Sequence, residues 1–238
     1  MNTEMIVERL FEALVNGDRA AARSLVQSTT DAGIPAPKLL QDIFWPIHEM
    51  LERLQRSHQI ELVSYHLATR LLRTLVDQAA SRLAIPANRT KTLLAFCGPS
   101  QGEELGAQIA VDLLEAAGFD VVFGGGGVPS DEIMAQVHSR QPDILLMFAS
   151  AASDLPAIRT LVDNLRGIGA STGTRLVVGG GVFARAEGLA DEIGIEVCAA
   201  SPEEMVEMLS QPLPAKRATA ENDSAKARAS KPKARRAA

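Results

Sequence analysis

Gly98-Pro99-Ser100-Gln101-Gly102-Glu103-Glu104-Leu105-Gly106 lies between the apolar run Thr92–Cys97 and the helical stretch Ala107–Ala117. An apolar strand, a loop of small residues and a helix, in that order, make the first turn of a parallel α/β sheet, where such sheets receive ligands. The pattern then repeats. Strand Asp120–Phe123 leads through Gly124–Gly127 to helix Ser130–Ser139, and strand Ile144–Phe148 leads to helix Leu155–Gly167. Strand Arg175–Val178 leads through Gly179–Gly181 to helix Ala184–Glu192, and a short strand, Glu196–Cys198, precedes helix Pro202–Leu209. Five βα units predict a Rossmann-like α/β domain over residues 90–211, with a five-stranded parallel sheet covered on both faces. Right-handed crossovers favour the flavodoxin-like strand order.

Upstream, residues 1–86 carry a helical period instead. Val7, Leu10, Phe11, Leu14 and Val15 share one face, Asn16-Gly17-Asp18 breaks the pattern, and Arg19–Thr29 restarts it. Leu39–Leu54 and Leu62–Leu83 are long apolar-periodic segments without glycine, and Pro46 suits the first turn of a helix beginning near Trp45. The expectation is a bundle of four to five helices, joined to the α/β domain by the linker Ile85–Arg89.

The chain has 238 residues, 46% of them hydrophobic and only 4% aromatic, so the core is aliphatic. No apolar run approaches the roughly 20 residues that span a bilayer, and Met1-Asn2-Thr3-Glu4 lacks the basic start of a signal peptide. Two cysteines, each ending an apolar segment, read as buried thiols. These features together predict a cytoplasmic protein. From Pro212 onward eight Lys/Arg face two Asp/Glu, so the tail 212–238 carries +6 and the body −11. A tail with almost nothing to bury is expected to be disordered and basic, free to contact an acidic partner or nucleic acid, whereas the acidic body repels phosphates.

Four small-residue loops, Gly98–Gly106, Gly124–Gly127, Ala149–Ser153 and Gly179–Gly181, open at one edge of the predicted sheet. A mononucleotide needs one or two such loops; four point to a larger ligand lying across the edge. The glycines do not spell Gly-x-Gly-x-x-Gly, no Gly-Lys-Ser/Thr follows a loop, and no Cys/His cluster has zinc spacing. A Gly-x-Ser-x-Gly hydrolase elbow is absent as well.

A helical bundle running straight into this α/β domain resembles the cobalamin-binding modules of methionine synthase, of corrinoid methyltransferase proteins and of light-sensing cobalamin-dependent repressors. The resemblance covers roughly residues 5–210. Leu105-Gly106, Asp112 and Ala117-Gly118-Phe119-Asp120-Val121 follow the family pattern. In that family the first loop reads Asp/Glu-x-His-x-x-Gly, and its histidine replaces the cofactor's own base beneath cobalt. Anchored on Gly106, the histidine here is Glu103 and the acid is Gln101. The resemblance implies a floor made of Ser100, Gln101, Gly102, Glu103, Leu105 and Gly106 with Gly124, Gly125, Gly126, Ser150, Ala151, Gly179, Gly180 and Gly181. Ser150 and the glycines 179–181 would lie along the cofactor's nucleotide tail. Aligning the bundle through Pro46 places Gln55, Tyr65 and His66 in the roof, where the repressors set a Trp and a Glu-His pair; His66 is the candidate metal ligand. His48, His58 and His138 read as bundle or surface residues and Trp45 as core.

Imidazole suits cobalt, whereas a carboxylate is a harder oxygen donor. With the histidine gone, the expected function is a tetrapyrrole-binding sensory module, with a photoreceptor as one form of it, that holds cobalamin, a bilin or haem and signals to a separate effector protein. The alternatives are a corrinoid carrier for a methyltransferase and a ligand-free adaptor. A homo-oligomer is left open.

Overall fold

The computed structural model describes residues 2–89, 91–168, 173–195 and 197–211. The basic tail 212–238 lies outside the described residues. Helices α1 (Thr3–Val15) and α2 (Arg19–Asp31) form an antiparallel pair. Asp18 caps α2, its side chain accepting from the Ala21 N–H at 2.9 Å. A continuous helical run then passes through α3 (Ala36–Lys38), a π-helical turn (Leu39–Phe44) and α4 (Trp45–Arg56). The wide turn precedes Pro46, which has no N–H to offer the carbonyl one turn back; the Trp45 N–H bonds instead to Leu40 O. Helix α5 (Leu62–Ala80) closes the bundle.

Strand β1 (Thr92–Cys97) leads to α6 (Gln101–Ala116), β2 (Asp120–Gly126) to α7 (Ser130–Arg140), and β3 (Ile144–Phe148) through a 3-10 turn (Ala152–Asp154) to α8 (Leu155–Ile168). Strand β4 (Arg175–Gly179) is followed by two short helices, α9 (Gly181–Arg185) and α10 (Leu189–Glu192), and β5 (Val197–Ala199) by α11 (Pro202–Ser210). The strands pair in parallel in the order β2-β1-β3-β4-β5, the flavodoxin-like order. Every β-to-α loop therefore opens at one edge.

Three boundaries differ from the sequence expectation. Helix α6 begins at Gln101, so residues 101–106 are helix and not loop. Ser100 and Glu103 form a capping box that supplies the missing start signal. Gly124, Gly125 and Gly126 extend β2 instead of forming a loop, and Gly126 pairs with Cys97. The helix expected over 184–192 is broken at Gly188, whose φ of 78° suits glycine.

Helix α6 is buried on both sides. Leu105, Ile109 and Leu113 join the bundle core with Leu51, Leu72 and Phe44. Ala107, Ala110, Val111 and Leu114 join the core over the sheet with Leu93, Leu146 and Met205. The second sheet face is covered by α7 and α8 through Ile133, Val137, Leu161 and Leu165.

Asp112, like Glu103, is a buried charged residue on α6. It is buried, Gln108 donates to Oδ1 at 2.6 Å, and Oδ2 has no partner. Burial, aided by the charges of Glu115 and Asp77 and only partly offset by Gln108, pushes its pKa up to about 7 from 3.8. The folded chain thus holds a proton that the unfolded chain releases near pH 4. The corresponding stability is full below that pH and is lost as pH rises through about 7. Melting across pH 4–8 should show wild type losing stability relative to Asp112→Asn, by up to about 4 kcal/mol. Parallel curves would remove Asp112 as the cause.

Candidate functional site

A cleft of about 380 Å³ opens between α4 and the loop edge of the sheet. Its wall on the bundle side is Trp45, Pro46, His48, Glu49, Met50, Glu52, Arg53 and Arg56, all from α4. The opposite side is built of small residues: Gly106, Ala107 and Ala110 on α6, Gly180, Gly181 and Ala184 after β4, and Ala199 and Ala200 at β5. Glu103 lines it from the first turn of α6, Phe148 and Ser150 from the end of β3 and the loop after it, and Pro202 and Met205 from α11. A wall that mixes Trp45, Pro46 and Met50 with His48 and the charged Glu49, Glu52, Arg53 and Arg56, facing a wall of alanines and glycines, is a shape that admits a bulky ligand and offers polar groups to orient it.

Helix α4 comes close because α6 has no side chains at two points. A Cβ on Gly106 would stand 2.6 Å from His48 Nε2. A Cβ on Gly102 would stand 2.5 Å from the Tyr65 hydroxyl. His48 is buried and its ring lies 5.3 Å from that of Trp45, tilted by 42°. Burial, and after it the charge of Arg56, pushes its pKa down to about 4, so the imidazole is neutral at pH 7. The Tyr65 hydroxyl donates to Glu52 Oε1 at 2.6 Å. Burial and that bond raise the tyrosine pKa, and burial raises that of Glu52.

Glu103 is 6% exposed. Its Oε2 accepts from the Ser100 hydroxyl at 2.8 Å and the Ser100 N–H at 3.3 Å. Its Oε1 accepts from the N–H groups of Ser150 at 2.7 Å and Ala151 at 3.3 Å. The carboxylate therefore stitches the first β-to-α loop to the third. Burial opposes its charge, but the neighbouring Asp154 carboxyl and the bonds from Ser150 and Ser100 outweigh burial and hold it below the usual carboxylate range. Asp154 is the counterpart: burial, then its bond to Glu103 and the Glu103 charge, push it up to about 6. Across the loops Arg185 donates to Ser150 O at 2.6 Å.

Of the residues singled out from sequence, the structure brings Glu103, Gly106, Ser150, Gly180 and Gly181 to the cleft. Ser100 and Ala151 stand behind it, bonded to Glu103. Gly102 sits under the Glu52–Tyr65 pair and Leu105 in the bundle core. Gly179 lies beneath Met205 and Phe148, and Gln101 is exposed at the start of α6. The placement corrects three expectations. Gly124, Gly125 and Gly126 are on edge strand β2, where Gly124 packs under the Phe96 ring, and do not line the cleft. Gln55 and His66 do not line it either; His66 is exposed, because the face of α5 that includes Tyr65, Ala68, Thr69 and Leu72 is the one turned inward. Tyr65 is buried but spends its hydroxyl on Glu52. The bundle wall consists instead of α4 residues. Trp45 and His48, one turn apart, were readable as a pair on one helix face, but the sequence carries no mark of which face α6 meets.

Glu103→Ala leaves four partly buried donors without their acceptor, which should cost about 1–3 kcal/mol by denaturant melting; Glu103→Gln, which keeps one acceptor oxygen, should cost less. Gly106→Ala forces the His48 ring away from α6 and should cost roughly 1–3 kcal/mol. Wild-type stability in these variants would show that the loops and α4 are not held in these ways.

Comparison with known proteins gives the cleft a family. A family model described as a B12 binding domain matches residues 91–210, and a second B12 binding domain model matches residues 6–79. No curated protein matches the sequence. Among solved structures, the Methanosarcina barkeri monomethylamine corrinoid protein superposes with a TM-score of 0.76 at 17% identity, over 87% of this chain and 98% of that one. A cobalamin-binding protein from Desulfitobacterium hafniense gives 0.47 at 19% identity, over 88% and 98%. The Methanosarcina barkeri methanol:cobalamin methyltransferase complex gives 0.47 at 18%, over 87% and 79%. With the α/β half matched to one B12 binding domain model and the bundle to another, this chain belongs to the B12 binding domain family, and its cofactor is cobalamin.

Proposed function

We propose that the chain is a corrinoid carrier, which holds cobalamin in the cleft between α4 and the sheet edge and presents it to a separate methyltransferase. The observation that carries this reading is the cleft itself, which lies at the junction of the two matched regions and is walled by small residues. The superposition over nearly the whole length of a corrinoid protein supports the shared architecture. The sensory reading needs a roof of Gln55, Tyr65 and His66, and those side chains stand outside the cleft.

The walls suit the cofactor. Gly106, Ala107, Gly180, Gly181 and Ala184 leave room for a macrocycle and its side arms, and Trp45, Pro46 and Met50 give an apolar cover that excludes water. Arg56 and Arg185 border the cleft and offer guanidinium donors to amide oxygens or phosphate. The floor suits it less well, since Glu103 brings an oxygen already committed to four donors and no nitrogen. Bound cobalamin supplies a cobalt centre able to accept and release a methyl group; the protein's part is to hold, orient and shield it.

The full chain, mixed with cobalamin and passed through a desalting column, should retain a corrinoid absorption spectrum. Ala184→Trp and Ala200→Trp place a ring in the cleft without disturbing either core and should each weaken retention at least about tenfold, the loss expected when a binding cavity is filled. No retention by wild type, or unchanged retention by both variants, would overturn the reading.

A further inference from the structure

We propose that this chain supplies no lower ligand to cobalt, so that cobalamin is bound with its own base still coordinated; the inference rests on the carrier reading and concerns how the same cleft takes its cofactor. The floor position is held by Glu103, whose two oxygens already accept four hydrogen bonds from Ser100, Ser150 and Ala151. A carboxylate has about four lone-pair sites, so this one is saturated. Swinging it toward a metal would break the capping box and leave the partly buried N–H of Ser150 and that of Ala151 without their acceptor, each at a cost. A carboxylate oxygen is in addition a poorer partner for cobalt than an imidazole nitrogen.

Other nitrogen donors are badly placed. His58, His66 and His138 are exposed and do not line the cleft. His48 does line it, but from α4, on the wall opposite Glu103, with its ring set between Trp45 and Gly106. Among the described residues, Arg185 and His48 bring nitrogen nearest to Gly181 and Gly106, but a guanidinium has no lone pair to give a metal and His48 Nε2 abuts Gly106 of α6. The remaining nitrogen is the one the cofactor carries.

The coordination is read directly from the low-spin cobalt(II) form. Its unpaired electron points along the axial direction, so one axial nitrogen splits the electron paramagnetic resonance lines into triplets if it is nitrogen-14 and doublets if it is nitrogen-15. The full chain, uniformly labelled with nitrogen-15 and loaded with unlabelled cob(II)alamin, should show triplets, the signature of the cofactor's own base. Doublets would mean that a protein imidazole has taken the position and would overturn the inference. Lines without nitrogen splitting would overturn it too, because the base would then have left without replacement. If no cobalt is retained, the carrier reading fails and this inference with it, an outcome distinct from the wrong coordination in a loaded protein. Glu103→His provides the converse: in labelled protein it should turn triplets into doublets, and persistent triplets would show that position 103 does not face the metal.

Discussion

The architecture depends on helix α6 being buried from two sides at once. One stripe, Leu105, Ile109 and Leu113, completes the bundle; the other, Ala107, Ala110, Val111 and Leu114, lies on the sheet. A helix that is apolar nearly all round cannot stand at a surface, so burial of both stripes joins the two halves of the chain. The small side chains on the sheet side let α6 lie close to the strands, while Gly102 and Gly106 let α4 and Tyr65 close over its first turns. The cleft is what remains where α4, running across α6, overhangs the open ends of β3, β4 and β5.

Glu103 illustrates how a buried carboxylate can be given over to structure. A neutral imidazole at that point would have lone pairs to offer a metal. The carboxylate has instead a negative charge at a helix start, where backbone N–H groups point at it and favour it. It gathers donors from two loops and is held charged by them, while its neighbour Asp154 has its pKa pushed up to about 6. The result is a rigid floor whose chemistry is used up internally.

Much of the fold was legible in the chain. The alternation of apolar strand and amphipathic helix after residue 91, and the helical period before residue 80, are local patterns that burial imposes on successive residues. Boundaries failed where a local signal was overlooked or a neighbour decided. Ser100-x-x-Glu103 is a capping-box pattern, and it moves the start of α6 back into what looked like a loop. Four glycines in a row look like a turn, yet three fall within β2: the pairing with β1 skips Gly124 and Gly125 at a bulge, where Gly125 takes a φ of 76°, and resumes at Gly126, while the Phe96 ring covers Gly124. Of the site, the floor was nearer to hand than the roof. Glu103, Gly106, Ser150 and the glycines after β4 follow from the rule that loops of a parallel sheet share an edge. The roof depended on how α4 and α5 rotate about their axes.

By itself the sequence determined the order of elements, the parallel sheet and the Ser100-x-x-Glu103 start of α6, because these are carried by residues near one another along the chain. The tertiary structure alone decided that α4 and not the exposed face of α5 walls the cleft, that His48 is buried against Gly106, and that Glu103 reaches Ser150. Each of these is a contact between segments tens of residues apart. It is settled by which pairs of surfaces pack without voids or stranded hydrogen-bond donors, and no local period records that choice.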